Sequence, residues 1–401
     1  KLNVHTKLRN KKLNTAYTLN LPKFDDVFSN TTLSHDNKIL QGQGFTLVEE
    51  QVDQNKANSE VRFKTYALAS YGPVYQDTKT WKASTYVNYN YRSEPKRTKI
   101  PKRYLSGDFN GDGLTDVLAI TKPYTRRTCF IEKDCDGGPK GPDGYLKYNK
   151  QQLVYPIDEC AECHDFQEKT SNVEFINLSR AKTSNFSNYS GKILNELGSK
   201  DKLQVADFNG DGRMDIFHFR PRNLTVYTLD QNNKLKVLLQ FTSSSINLER
   251  PILMGDYNGD GKTDFMVPQK DNTKNWTLYT SSGTRYDTMQ RNLGIKYQKN
   301  TNVNTTIYEY HYIAQDFNGD GKTDILKHSL VTRLIRSSFV REKIEIFDNK
   351  NNDFNFQRSL IFNNSAEDLI SPYGFPVFMD LLHNDGRLEY AYVSGNNIST
   401  Y

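Results

Sequence analysis

Asp108-Phe109-Asn110-Gly111-Asp112-Gly113-Leu114-Thr115-Asp116 returns three more times along the chain with little change. The later copies are DFNGDGRMD from Asp207, DYNGDGKTD from Asp256 and DFNGDGKTD from Asp316. Each places Asp, Asn, Asp and Asp at positions 1, 3, 5 and 9, with Gly at 4 and 6. That alternation aims oxygen ligands at one point, and glycine at position 6 permits the sharp turn that a hard cation of the calcium type requires. Four copies predict a repeat architecture with a cation site in each repeat. The alternative is a set of polar turns without metal, which would leave three carboxylates repelling one another at every copy.

The copies begin 99, 49 and 60 residues apart, and a degenerate fifth, DLLHNDGRLE, spans Asp380–Glu389. The fifth has one residue too many and lacks the Asn, so no metal is expected there. A period of about 50–60 residues fits a four-stranded propeller blade and is long for most helical repeats. The first interval is about twice the shortest, which predicts a blade near residue 157 that has lost its loop. Short apolar runs follow the loops at Val117–Ile120, Ile216–Phe219, Phe265–Val267 and Ile325–Lys327, with the length and residue types of buried strands. Further strand signals stand at Leu224–Tyr227, Trp276–Tyr279 and Lys343–Phe347. The unit reads strand, loop, strand, turn, strand. The expected fold is all-β, a β-propeller of four-stranded antiparallel blades, with seven blades and with six or eight as the neighbouring counts. One propeller is expected to occupy residues 1–401. Residues 1–103 would form divergent blades without the motif, and 104–398 the motif-bearing ones. Closure is expected to pair a strand from the amino-terminal region with one near the carboxy terminus, hiding both sheet edges.

An EF-hand also opens with Asp-x-Asn-x-Asp-Gly but requires a bidentate acid at position 12. Here position 12 is Ala119, His218, Val267 and Lys327, so that reading fails in all four copies.

The loops and the strands around them resemble FG-GAP or VCBS repeats, whose propeller blades carry a DxNxDGxxD loop. The stretch Gly255–Phe265, followed by Trp276–Tyr279 and Ser282-Gly283-Thr284, is most similar to propellers of bacterial RHS-repeat and SpvB-like toxin-shell proteins. The resemblance covers roughly residues 104–393. It implies calcium ligands at Asp108, Asn110, Asp112 and Asp116; at Asp207, Asn209, Asp211 and Asp215; at Asp256, Asn258, Asp260 and Asp264; and at Asp316, Asn318, Asp320 and Asp324. The backbone carbonyls of Leu114, Arg213, Lys262 and Lys322 would add a ligand each, and about four calcium ions would bind.

Composition agrees with a large β domain. Tyr and Phe, 25 and 22 of them, suit stacked twisted sheets. No run approaches the roughly 18 apolar residues of a membrane span. The chain opens on Lys1 with no visible signal peptide, which is the expectation for a piece of something longer. Net charge is +6, with basic clusters at Lys7–Lys12 and Arg92–Arg103. The second reads as a solvated connector. Nucleic acid or anionic polysaccharide is the other reading, but no aromatic platform for single strands accompanies the cluster.

Cys129, Cys135, Cys160 and Cys163 all fall in an insertion around residues 125–170, beside the Gly/Pro-rich run Asp136–Gly144. Two disulfides are expected, because loops of this kind work where calcium is millimolar, outside the cytosol; zinc stays open as the alternative. The pairing is not legible. None of the seven histidines sits in a triad, HExxH or Cys-His setting, and no catalysis is expected. Two functions remain. One is a non-catalytic, calcium-stabilised structural or protein-interaction module of a larger secreted or bacterial cell-surface protein. The other is a stand-alone adhesin or carbohydrate-binding propeller. Its partners would be other domains of a parent chain, a secreted complex or a surface glycan, and its location extracellular.

Overall fold

The computed structural model describes residues 3–8, 11–13, 26–30, 44–69, 72–90, 93–113, 115–131, 161–178, 187–193, 197–333, 339–350, 353–365, 375–379, 389–394 and 397–400. These residues form strands joined by turns, with no helix among them.

In chain order, β1 (Asn3–Leu8) and β2 (Lys11–Leu13) form a hairpin, and β3 (Asp26–Asn30), β4 (Gly44–Gln51), β5 (Asn58–Ala69), β6 (Gly72–Asn90) and β7 (Ser93–Lys99) form the first complete sheet. The second sheet holds β8 (Lys102–Gly107), β9 (Asp116–Thr121), β12 (Asn172–Ile176) and β13 (Ser187–Lys192). Between its second and third strands the chain makes a separate hairpin, β10 (Tyr124–Ile131) and β11 (Ala161–Glu168). Two four-stranded antiparallel meanders follow: β14 (Lys202–Ala206), β15 (Asp215–Arg220), β16 (Asn223–Leu229) and β17 (Leu235–Thr242), then β18 (Leu253–Gly255), β19 (Asp264–Pro268), β20 (Asn275–Ser281) and β21 (Tyr286–Asn292). The fifth sheet has β22 (Thr301–Val303), β23 (Thr306–Gln315), β24 (Asp324–Arg333), β25 (Phe339–Lys350) and β26 (Asp353–Ser365). The last holds β27 (Phe375–Met379), β28 (Glu389–Ser394) and β29 (Asn397–Thr400), to which β1 and β2 are added.

The fold is a β-propeller, and every strand read from the sequence falls inside one of these elements. Closure runs as expected: β1 pairs with β29, Asn3 opposite Asn397 through Thr6 opposite Thr400, although in parallel. The count among the described residues falls at the lower end of the expected six to eight. Among the described residues there are six sheets of four or five strands, not seven. Within the long first interval the described residues hold one four-stranded sheet, in which β12 pairs directly with β9, Val173 opposite Ile120, across the β10–β11 hairpin. What separates β9 from β12 among the described residues is an inserted hairpin; residue 157 lies outside them.

Consecutive sheets stack face to face, which explains the uninterrupted apolar runs after each loop. A strand buried on both faces has no polar side to alternate with. Along β9, Val117 and Ala119 pack toward the first sheet with Val61, Phe63 and Trp81, while Leu118 and Ile120 pack toward the third with Ile216 and Tyr227. On β19, Phe265 and Val267 face back to Phe217 and Phe219, whereas Met266 joins Trp276 and Ile325 ahead. Aromatic rings fill these seams: Phe265 stacks on Tyr279 at 4.2 Å and meets Phe219 edge-on at 5.3 Å.

Gly255 marks a tight point in this stacking. A Cβ there would lie 2.4 Å from the Thr323 side chain on the next sheet. Gly255→Ala is expected to lose about 1–3 kcal/mol in denaturant unfolding, with partial recovery in a Gly255→Ala/Thr323→Ala double variant.

Candidate metal centres

Each nonapeptide joins the first long strand of a sheet to the next: β8 to β9, β14 to β15, β18 to β19 and β23 to β24. Four consecutive sheets therefore present the loop at the same place. Both loop glycines take left-handed backbone, with φ of 76° and 78° at Gly111 and Gly113 and close values at the other six.

The hydrogen bonds inside the loops repeat. In the third, Asp256 Oδ1 accepts from the Gly259 N–H and Oδ2 from the Gly261 N–H, both at 2.7 Å. Asn258 Oδ1 accepts from the Asp260 N–H, and Asp260 Oδ1 from the Lys262 N–H. Asp108, Asp207 and Asp316 make the same pair of contacts to their own glycines. Leu114 lies outside the described residues, as do Cys135, Cys160 and most of the degenerate loop at 380–389.

The position-9 acids differ from the others. Asp116, Asp215, Asp264 and Asp324 are fully buried, while positions 3 and 5 are part-exposed or exposed. Asp264 Oδ2 accepts from the Tyr257 N–H of its own loop, and Oδ1 from the Ser281 N–H at the end of β20. Asp324 does the same with Phe317 and Asn349. Burial, reinforced by the loop's other carboxylates, pushes Asp116 up to about 8. Burial likewise raises Asp215 and Asp264 to about 7 and Asp324 to about 6. A carboxylate held in that condition is the group that a cation would restore to its charged form.

The donor set fits a hard divalent ion. It consists of oxygen atoms alone, with three carboxylates per loop, and in the first loop ligand atoms of Asp108, Asp112 and Asp116 all lie within 4.8 Å of one another. Among the described residues no other triad is as close. In the second and third loops the position-5 carboxylate is engaged by its own position-7 cation, Asp211 by Arg213 at 3.4 Å and Asp260 by Lys262 at 3.1 Å.

The loops are also joined to one another, which the sequence did not announce. Met214 N–H donates to the Asp108 carbonyl (2.7 Å), Thr263 N–H to that of Asp207 (2.9 Å), and Thr323 N–H to that of Asp256 (2.7 Å). Ser281 Oγ donates to the Phe208 carbonyl, and Asn349 Nδ2 to that of Tyr257. Thus Ser281 and Asn349 each connect a buried acid to the preceding loop. The position-7 side chains of Arg213, Lys262 and Lys322 cover the position-4 glycine of the loop before them. Sequence reading gave position 7 a carbonyl role alone. Ser281 and Asn349 had no repeated identity to draw attention to them.

In the insertion, the register sets Cys129 opposite Cys163, and Cys163 is disulfide-bonded. Elsewhere, buried His218 shares a 2.8 Å hydrogen bond between Nε2 and Asp201, and burial lowers its pKa.

Residues 207–267, which include the second and third loops, match the model of the FG-GAP-like repeat. No curated protein matches the chain. Among solved structures, an Agrocybe aegerita lectin described as recognising non-reducing terminal N-acetylglucosamine is similar at 14% identity and TM-score 0.40, covering 86% of this chain and 88% of the lectin. The S. cerevisiae core factor is similar at 12% identity and TM-score 0.34, covering 92% of this chain and 55% of that one. TcdB2-TccC3 without its hypervariable C-terminal region is similar at 10% identity and TM-score 0.26, with 91% of this chain matching 23% of that one. No helix among the described residues is long and apolar enough to cross a membrane.

Proposed function

We propose that this propeller is a non-catalytic structural and protein-interaction module, stabilised by about four calcium ions, within a larger secreted or cell-surface protein of the RHS-repeat, toxin-shell kind. The observation that carries the calcium part is the buried position-9 acid in each of four linked loops, costly in the absence of a cation. Asp108, Asn110, Asp112 and Asp116, with their counterparts in the other three loops, would hold the ions. A bound cation would supply charge neutralisation, and the chain's own part is to orient the carboxylates and fix adjacent sheets through the loop-to-loop hydrogen bonds.

The extracellular setting is supported by the calcium loops themselves and by the disulfide at Cys163. Among the described histidines, His218 is tied to Asp201, and His311 stacks with His328 at 5.9 Å between paired strands, which favours packing roles over chemistry.

The module reading is tested by immunoblotting cells and medium of the native source with an antibody to this domain. A band several times the mass of the chain is expected; a secreted band at the mass of the chain alone would contradict it. Within the module, Asp260→Ala is expected to remove part of the calcium-dependent rise in Tm, since it deletes a position-5 ligand and leaves the buried acid Asp264 in place.

A further inference from the structure

A cavity of about 390 Å³ opens among the first strands of three consecutive sheets. Lys202 contributes from the start of β14, Arg250 and Pro251 from just before β18, Tyr297–Asn300 from the segment before β22, and Tyr310–Ile313 from β23. Lys202 and Arg250 therefore stand at the ends of their strands away from the calcium-type loops. The size falls within the range of small-molecule sites.

Charge in the cavity is one-sided. Lys202, Arg250 and Lys299 line it, against Glu249 alone. Lys202 donates to the Arg250 carbonyl at 2.8 Å, and among the described residues no carboxylate pairs with it. Burial accordingly lowers its amine. Arg250 gives one terminal nitrogen to the carbonyls of Pro268 and Gln269 and stands 3.8 Å from Asp271, using only part of its five-donor fork. Behind the wall, Lys327 is buried against the rings of Tyr310 and Tyr312 and donates to the Lys296 carbonyl and Gln298 Oε1.

Beside the cations stand aromatic faces and amides. Tyr297 and Tyr312 meet at 5.7 Å, the Gln298 side chain donates to Tyr310 Oη, and Asn300 accepts from the Tyr310 N–H. The Tyr312 hydroxyl is already held between Gln298 and Lys296, which fixes that ring. Cations recognise a carboxylate, tyrosine faces accept the apolar side of a sugar ring, and amides exchange hydrogen bonds with hydroxyls. A bare phosphate ion would use only the first of these.

We propose that this cavity binds an acidic saccharide, with its carboxylate between Lys202, Arg250 and Lys299 and its ring against the part-exposed Tyr310. The site is separate from the metal loops, so failure of the calcium reading would leave it standing. The test is calorimetric titration of the full chain in calcium buffer with trigalacturonate, a hyaluronan oligosaccharide and sialyllactose, and with neutral maltotriose and chitotriose as controls. At least one acidic probe is expected to bind where the neutral ones do not. Lys202→Met and Lys299→Glu should each weaken that binding by about tenfold or more, the scale of one charged hydrogen bond. Lys299 is exposed, so Lys299→Glu should keep the wild-type Tm and report on binding alone. The proposal is overturned if no acidic probe binds at millimolar concentration or if acidic and neutral saccharides bind alike. Unchanged affinity in Lys299→Glu, or displacement of the saccharide by inorganic phosphate at equal potency, would also overturn it.

Discussion

Removing calcium with EDTA is expected to lower Tm by on the order of 10 °C, and adding calcium back should restore it. A ligand at a hundredfold excess over its Kd stabilises by about 2.7 kcal/mol per site, and four loops act together on one fold. The pH dependence should distinguish this from a general effect of salt. Without metal, the folded-state pKa values of Asp116, Asp215, Asp264 and Asp324 lie at about 8, 7, 7 and 6, above the ordinary carboxylate value. For a group raised on folding, the stability it contributes is fully present below its unfolded pKa and is lost as pH rises through the folded one. The chelated protein should therefore become less stable from about pH 4 to pH 8, most steeply between about pH 4 and pH 6, where all four acids keep a proton in the folded chain that the unfolded chain has lost. Calcium should flatten that slope, because the ion replaces the proton. Scanning calorimetry across this range in EDTA and in calcium checks both statements, and parallel curves would contradict them.

Asp264→Ala should be the most damaging single change in the loops. Its two oxygens accept from the Tyr257 and Ser281 N–H groups, and the site is buried. Leaving two buried donors without acceptors costs about 2–6 kcal/mol in addition to the lost ligand. Asp264→Asn separates the two contributions. The amide keeps one acceptor and turns an NH2 toward the other donor, but it also removes a carboxylate that is costly to bury without metal. In urea unfolding at pH 8, Asp264→Asn is therefore expected to cost clearly more in calcium than in EDTA. Equal cost in both would mean that Asp264 serves the fold through hydrogen bonds alone.

What was legible in the sequence is what is local. Asp, Asn and Gly at fixed positions within nine residues dictate the loop's turn and its internal hydrogen bonds, and the apolar run behind each loop betrays a strand buried on both faces. What joins one blade to the next was not legible. Ser281 and Asn349 serve the same connection with different side chains, and Arg213, Lys262 and Lys322 lie over a glycine some 50 to 100 positions earlier in the chain. Spacing leaves the blade count open between six and eight for a related reason. It cannot tell a lost blade from an inserted hairpin, and only the pairing of Val173 with Ile120 reveals the hairpin as an insertion. The first sheet carries no motif at all. It holds to its neighbour through Trp81, Phe63 and Val61 packed against Tyr104 and Val117, with Lys102 lying 5.3 Å over the Trp81 ring.

The measurement that bears most directly on this account is calorimetric titration of calcium into the chelated, full-length chain. Four linked loops predict about four ions bound per chain, the count that the ligand sets provide. Saturation with no bound calcium at millimolar concentration would contradict it and leave the four nonapeptides as turns held by their own hydrogen bonds.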